Sequence, residues 1–189
     1  MSVTAIVVIV IAVIVVLALV AFFNSFIAKR NMADQAFSTI DVMLKKRCDL
    51  VPNLVASVQQ YMKHESATLT RIAELRARAG DSKTEANQRL AADGEMNRLI
   101  GNLMVQVEQY PELKADTHIH ELNGSLSGME EQISASRRTF NAAVTSFNNS
   151  VDMFPGNLFA GLFGFKRRAL LETSPEDRRV PDVKALFKD

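Results

Sequence analysis

An uncharged apolar run from Val3 to Phe23 constrains the fold more than any other feature of this chain. Its 21 residues include no proline and no glycine. As a helix rising about 1.5 Å per residue, the run extends about 32 Å, which matches a hydrocarbon core about 30 Å thick. We therefore expect one transmembrane helix that anchors the rest of the chain to a membrane.

A cleaved secretory signal is the alternative interpretation of this run. Such signals have a basic start, an apolar stretch of about 7–15 residues and a cleavage site between small residues. Here nothing basic precedes the run, and the helical pattern continues through Phe26 and Ile27. We therefore expect a retained anchor over residues 3–27, with residues 1–2 as a short external N-terminus.

The orientation of the anchor is predicted from its basic neighbours. Lys29 and Arg30 follow the run directly, and the cluster 45–47 adds three more basic residues, whereas none precedes the run. Lys and Arg near a membrane span resist translocation, so the large C-terminal part is expected in the cytoplasm. The single cysteine, Cys48, can form no internal disulfide, which agrees weakly with that compartment.

The remainder, about 160 residues, is long enough for one domain with a sizeable core. Its composition favours helix, because tryptophan is absent, glycine and proline are few, and Ala, Leu and Glu are frequent. The net charge of +1 carries no basic surplus of the kind that nucleic-acid binders show. We therefore expect an all-α domain that does not bind nucleic acid.

Helical periodicity is clearest after residue 117. Apolar and small residues recur at alternating spacings of three and four, which predicts one long helix with a seam like that of a coiled coil. Thr117 is the expected cap, and Pro155-Gly156 ends the pattern. The seam contains Ile119, Leu122, Leu126, Met129, Ile133, Ser136, Phe140, Ala143, Phe147 and Ser150.

A second long helix is predicted to continue straight out of the membrane. Pro52 lacks a backbone donor, so we expect a kink or short break there, with Asp49 capping the restart. Further helical patterns run to Gly80 and over residues 84–109. These patterns predict an anchor that continues into an antiparallel bundle of about four long helices, the helical bundle covering residues 28–153.

Four stretches of the sequence resemble the LemA family of bacterial single-pass membrane proteins. The block FSTIDVMLKKRCDLVPNL, residues 37–54, is similar to the first family block, and the turn at 110–115 and the stretch 136–144 are similar to later ones. Phe154-Pro155-Gly156-Asn157 resembles the family ending. The residues matching the family signature are Asp41, Leu44, Arg47, Asp49, Pro52, Asn53, Leu54, Tyr110, Pro111, Leu113, Lys114, Arg137, Arg138, Asn141, Pro155 and Asn157.

This resemblance implies a single transmembrane helix and a cytoplasmic helical domain at the bacterial inner membrane. It assigns no molecular activity, although one branch of the family is associated with forming magnetosome membranes. The chain departs from the family pattern at Phe37, Cys48 and Phe140, where members often carry Trp, His and Tyr. The loss of those polar groups indicates that these positions serve packing.

Candidate catalytic or metal-binding residues are few. His118 and His120 lie two apart, whereas zinc pairs on a helix lie four apart, so they are expected to be surface histidines, as is His64. Cys48 has no identifiable base partner, and no nucleotide-binding loop or nucleophile elbow occurs. We expect no catalytic residue, no metal site and no cofactor, and hence no enzymatic activity.

The segment 154–168 is the strongest candidate for a membrane or protein interface. It combines apolar bulk with cationic groups, a composition suited to the bilayer surface. Two alternatives stand beside that interpretation: the segment covers the end of the bundle, or it packs against a neighbouring subunit. The residues concerned are Phe154, Leu158, Phe159, Leu162, Phe163, Phe165, Lys166, Arg167 and Arg168.

The sequence thus predicts a membrane-anchored scaffold or membrane-organising protein that self-associates into a homo-oligomer at the bilayer. One alternative is a monomeric or dimeric adaptor that recruits another membrane or envelope protein. Another is a lipid-binding module that remodels membranes. Residues 169–189 form a charged C-terminal tail to which no role is assigned.

Overall fold

A computed structural model describes residues 2–172, and this part of the chain is all-α, as predicted. Met1 and the tail from residue 173 onward lie outside the described residues. The order of elements is α1 (Val3–Gln59), a 3₁₀ helix (Lys63–Glu65), α2 (Ser66–Gly80), α3 (Ala86–Val107), α4 (Pro111–Lys114), α5 (Thr117–Asp152) and α6 (Gly156–Phe163).

The apolar run forms the start of α1, a helix of 57 residues. Its large side chains are exposed, which suits contact with lipid. Within the described residues, α1 is the one helix long and apolar enough to cross a membrane. This single N-terminal apolar helix fits a single-pass membrane protein.

The described residues divide into two compact units. The first unit comprises residues 2–47 and 126–170, and the second comprises residues 48–125 and 171–172. Both α1 and α5 contribute residues to each unit.

The first unit is built on an antiparallel pair formed by α1 and α5. Contacts run in opposite directions along the two helices, since Phe37 packs on Phe140 with ring centroids 5.6 Å apart, whereas Arg47 reaches the earlier residue Glu130. The core residues recur at helical spacing on both helices, as the predicted seam requires. They are Phe26, Ala33, Ala36, Ile40 and Leu44 on α1, and Leu126, Ile133, Phe140, Ala143, Val144 and Phe147 on α5.

The second unit packs α2 against α3 as a second antiparallel pair. Arg71 near the start of α2 pairs with Glu95 of α3 at 2.9 Å, and the buried Arg89 donates through Nε to the carbonyl of Ala79 at 3.1 Å. That carbonyl is among the last of α2, which the helix itself leaves without a partner. The Glu95 carboxylate raises the pKa of Arg71, chiefly through its hydrogen bond with the Arg71 guanidinium.

We expected a kink or a short break at Pro52; the break is wrong, because α1 continues through the proline to Gln59. Pro52 has no N–H to donate to the carbonyl of Cys48, four residues back. Arg76 on α2 supplies the missing donor, with its Nε 2.7 Å from that carbonyl oxygen. Val51 and Leu54 on either side of the proline are buried, so packing also holds the helix together. Asp49 consequently lies within the helix and caps no restart.

The predicted long helix is confirmed over Thr117–Asp152, but its cap is one residue earlier than expected. The Asp116 carboxylate accepts from the backbone N–H of His118 at 2.8 Å, which is the bond of an N-cap residue. Thr117 is therefore the first helical residue.

Candidate membrane-interface site

α6 lies against α1 at the point where the apolar run ends. Phe22 stacks on Phe159 with ring centroids 4.9 Å apart, and Phe23 meets Phe163 edge-on at 5.1 Å. Aromatic pairs at such distances contribute about 0.5–1.5 kcal/mol each beyond the area that they bury. These contacts attach the segment 154–168 to the end of the apolar run.

A glycine turn after α6 places one further ring in this cluster. Gly164 has φ of 72°, a left-handed conformation that glycine adopts without strain. The next N–H, of Phe165, donates to the carbonyl of Ala160 at 2.9 Å, as in a Schellman motif. The Phe165 ring then stacks on Phe26 at 4.9 Å and meets Phe147 edge-on at 6.2 Å.

The outer side of α6 carries an apolar ridge that nothing in the described chain covers. Leu158 and Leu162 lie four residues apart on α6 and are 63% and 71% exposed, and Phe154, in the turn two residues before α6, is 80% exposed. We call these three residues the α6 ridge. The apolar residues of the predicted interface therefore separate into two groups, since Phe159, Phe163 and Phe165 pack inward and the ridge faces outward. An exposed apolar patch of this kind marks a membrane or protein contact.

Some of the basic residues after α6 form ion pairs within the first unit. Arg168 donates through Nη1 to Asp34 at 2.6 Å, and Arg167 lies 3.5 Å from the carboxylate of Asp152. Asn148 on α5 is buried and bonds the backbone N–H and C=O of Arg168, both at 2.9 Å. This amide fixes the returning chain, whereas Lys166 remains exposed.

A groove of about 720 Å³ lies beside the ridge within the first unit. Its polar lining residues include Lys29, which donates a hydrogen bond to the Ser150 hydroxyl. We call this cavity the interface groove. It is lined by Phe22, Ser25, Phe26, Lys29, Ala142, Thr145, Ser146, Asn149, Ser150, Met153, Phe154, Pro155 and Gly156.

The histidines and the cysteine lie apart from this site. His64, His118 and His120 are exposed. The Nε2 of His120 lies 2.9 Å from the carbonyl of Lys114, so that nitrogen must carry the proton. Within residues 2–172, no cluster of three or more His, Cys, Asp or Glu is arranged to hold a metal ion. Cys48 is buried, and its sulfur lies 3.6 Å from the carbonyl of Arg76.

Signature residues 110–114 shape the turn before α5. Pro111 occupies the first position of α4, where a missing N–H costs nothing, and Leu113 is buried. Lys114 pairs with Glu108 at 2.7 Å. The hydrogen bond from Lys114 lowers the pKa of the Glu108 carboxyl.

Among the residues that match the family signature, Arg47 is the one whose burial is least expected from its neighbours in the sequence. It belongs to a Lys-Lys-Arg run typical of a solvated helix face, yet its side chain is fully buried. It pairs with Glu130 at 2.7 Å and donates to the carbonyl of Leu126 at 3.2 Å. Lys45 and Lys46 are exposed.

The remaining signature residues are distributed along the helices. Leu44 and Leu54 are buried in the first and second units respectively, while Asp49, Pro52 and Asn53 are exposed. The others are Asp41, Arg137, Arg138 and Asn141, which are half-buried or exposed in the first unit, and Pro155 and Asn157 beside the α6 ridge.

Comparisons with known proteins identify a family and several relatives of this chain. The model of the LemA family matches residues 36–185. Protein LemA of Metamycoplasma hominis is 26% identical over 163 residues, which cover 86% of this chain and 74% of that protein. Magnetosome protein MamQ of Magnetospirillum gryphiswaldense is 28% identical, with 81% of this chain and 65% of that protein covered.

A second magnetosome relative matches a shorter stretch. Magnetosome protein MamQ 2 of Paramagnetospirillum magneticum is 38% identical over 87 residues, which are 46% of this chain and 32% of that protein. The chain thus spans less than two thirds of the magnetosome relatives. The family match covers most of the chain, and the apolar helix fits a membrane-associated helical protein. This chain belongs to the LemA family.

Proposed function

We propose that the protein is a membrane-anchored, non-enzymatic helical scaffold that self-associates at the cytoplasmic face of the bacterial inner membrane. The observation that carries this proposal is the α6 ridge at the end of the apolar run. Aromatic packing attaches α6 to α1, so the ridge and the transmembrane segment meet the bilayer together.

The ridge gives the protein a second attachment to the membrane. Full transfer of one Leu or Phe side chain out of water stabilises by about 1.5–3 kcal/mol, so partial insertion of Phe154, Leu158 and Leu162 contributes several kcal/mol. Lys166 beside them adds attraction to anionic lipid. Two attachments fix the orientation of the first unit relative to the bilayer, which a single span does not.

A fixed orientation favours self-association. Copies confined to one membrane and presenting the same face meet at a high effective concentration, so a weak side-to-side contact is enough to build an assembly. The basic residues Lys29 and Arg30 support the cytoplasmic placement. Relatives that are named magnetosome proteins fit a role in membrane organisation.

The position of the ridge can be tested by fluorescence, because the chain contains no tryptophan. Leu158→Trp introduces a single reporter on the ridge, and Val105→Trp introduces a matched reporter at an exposed apolar position of α3. In full-length protein in nanodiscs, brominated lipid should quench the first reporter strongly and the second weakly. Equal quenching of both reporters would contradict the proposed second attachment to the membrane.

Self-association can be tested by measuring the mass of full-length protein in native nanodiscs. A discrete particle of several subunits is expected. The pair Leu158→Gln and Leu162→Gln should reduce its size, while Val42→Gln with Val105→Gln, which removes comparable exposed apolar surface elsewhere, should not. A monomer in every preparation would contradict the scaffold and favour the adaptor.

A further inference from the structure

We propose that the interface groove binds one anionic phospholipid from the cytoplasmic leaflet, with its phosphate at Lys29 and its first acyl carbons against Phe22 and Phe154. This inference rests on the proposed position of the α6 ridge at the bilayer surface. It adds a specific ligand site on α1 and α5 to a general contact with the membrane.

The groove has the two chemistries that a phospholipid presents. Lys29, Asn149 and Ser150 supply polar groups to its lining, and Phe22 and Phe154 supply apolar surface. The volume of about 720 Å³ falls within the range of about 300–1,000 Å³ that small-molecule sites occupy. A headgroup with the first part of an acyl chain fits such a space.

Measured along α1, the Lys29 backbone lies at the outer edge of the headgroup layer. Lys29 follows the last residue of the apolar run, Phe23, by six positions, or about 9 Å along the helix. The headgroup layer on each side of the hydrocarbon core is about 5–8 Å thick. Side chains on a helix lean toward its N-terminus, so the Lys29 stem leans back toward the lipid.

The charge of the groove selects an anion. The Lys29 ammonium has three donors, of which Ser150 accepts one. The Ser150 hydroxyl donates in turn to the carbonyl of Ser146 at 3.0 Å. No acidic side chain in the described chain lines the groove, so a phosphate meets a cation without a competing carboxylate.

The test is native mass spectrometry of full-length protein released from nanodiscs that contain equal amounts of phosphatidylglycerol and phosphatidylcholine. One retained phosphatidylglycerol per chain is expected, enriched about fivefold over phosphatidylcholine, the equivalent of about 1 kcal/mol for one basic residue near an anionic lipid. Equal retention of both lipids by the unchanged protein would overturn the proposal.

Three variants locate the site. Lys29→Gln should abolish the enrichment, and Ala142→Phe, which fills the groove and leaves Lys29 in place, should remove the retained lipid. Lys46→Gln changes an exposed charge on the same helix and should have no effect. If Lys46→Gln lowered the enrichment as much as Lys29→Gln, the attraction would be diffuse and the site would be wrong.

The test of the lipid site and the tests of the proposed function can fail independently of each other. Strong quenching of the Trp at position 158 without enrichment of phosphatidylglycerol would overturn the lipid site and leave the second attachment standing. Enrichment that depends on Lys29 together with a multisubunit mass would support both.

Discussion

The bond between Arg76 and the carbonyl of Cys48 predicts that Arg76 and Pro52 are energetically coupled. Arg76→Met retains most of the aliphatic bulk and removes the donor 2.7 Å from that carbonyl. A hydrogen bond involving a charged group contributes about 1.5–3 kcal/mol, and Arg76 is only half-buried, so we expect a loss of about 1–2 kcal/mol.

The coupling appears when the proline is removed. In Pro52→Ala, the restored N–H donates to the carbonyl of Cys48 within the helix, so Arg76→Met should then cost less than about 0.5 kcal/mol. The two positions should therefore show a coupling of about 1 kcal/mol, within the range for residues that share a partner.

The four proteins of this cycle can be compared by urea titration of the full-length chain in mild detergent, followed by circular dichroism. Arg78→Met is the matched control, because Arg78 is exposed on the same helix, and it should change the free energy of unfolding by less than about 0.5 kcal/mol. The same loss from Arg76→Met with and without Pro52 would refute the account of the unbroken helix.

Two further predictions concern the first unit. Gly156→Ala should lower the free energy of unfolding by about 1–3 kcal/mol, because a Cβ there lies 2.1 Å from a backbone carbonyl oxygen, whereas Gly161→Ala meets nothing within 4 Å and should be neutral or stabilising. Thermal unfolding of both variants checks this, and equal melting temperatures would contradict it. Arg47→Met should destabilise by about 3 kcal/mol, since it leaves the carboxylate of Glu130 without its buried partner, while Lys46→Met should change stability by less than about 0.5 kcal/mol in the same urea titration.

Periodicity predicted the long helices well because their apolar stripes are regular. The stripe of α5 predicted that helix with its N-cap displaced by one residue, and Gly80 marked the end of α2. The prediction of a break at Pro52 failed because local sequence rules consider only the backbone donor that proline lacks. The donor that replaces it belongs to Arg76, which lies 24 residues later in the chain. No local pattern in the sequence indicates that contact.

Only part of the candidate site could be predicted from the sequence. Composition identified the segment 154–168, but it could not separate the inward Phe159 and Phe163 from the outward Leu158 and Leu162, because that depends on how α6 docks on α1. The burial of Arg47, in contrast, is indicated by its position in the sequence. It occupies the position between Leu44 and Val51 in an otherwise apolar stripe, and the neighbouring lysines obscured this spacing.

The continuity of α1 also ties the first unit to the thickness of the bilayer. A transmembrane helix leans further in a thin membrane and stands more upright in a thick one. Because no turn interrupts α1 between the span and residue 47, its partner α5 must lean by the same angle. Each change in lipid composition that alters thickness would therefore rotate the α6 ridge toward the acyl chains or away from them.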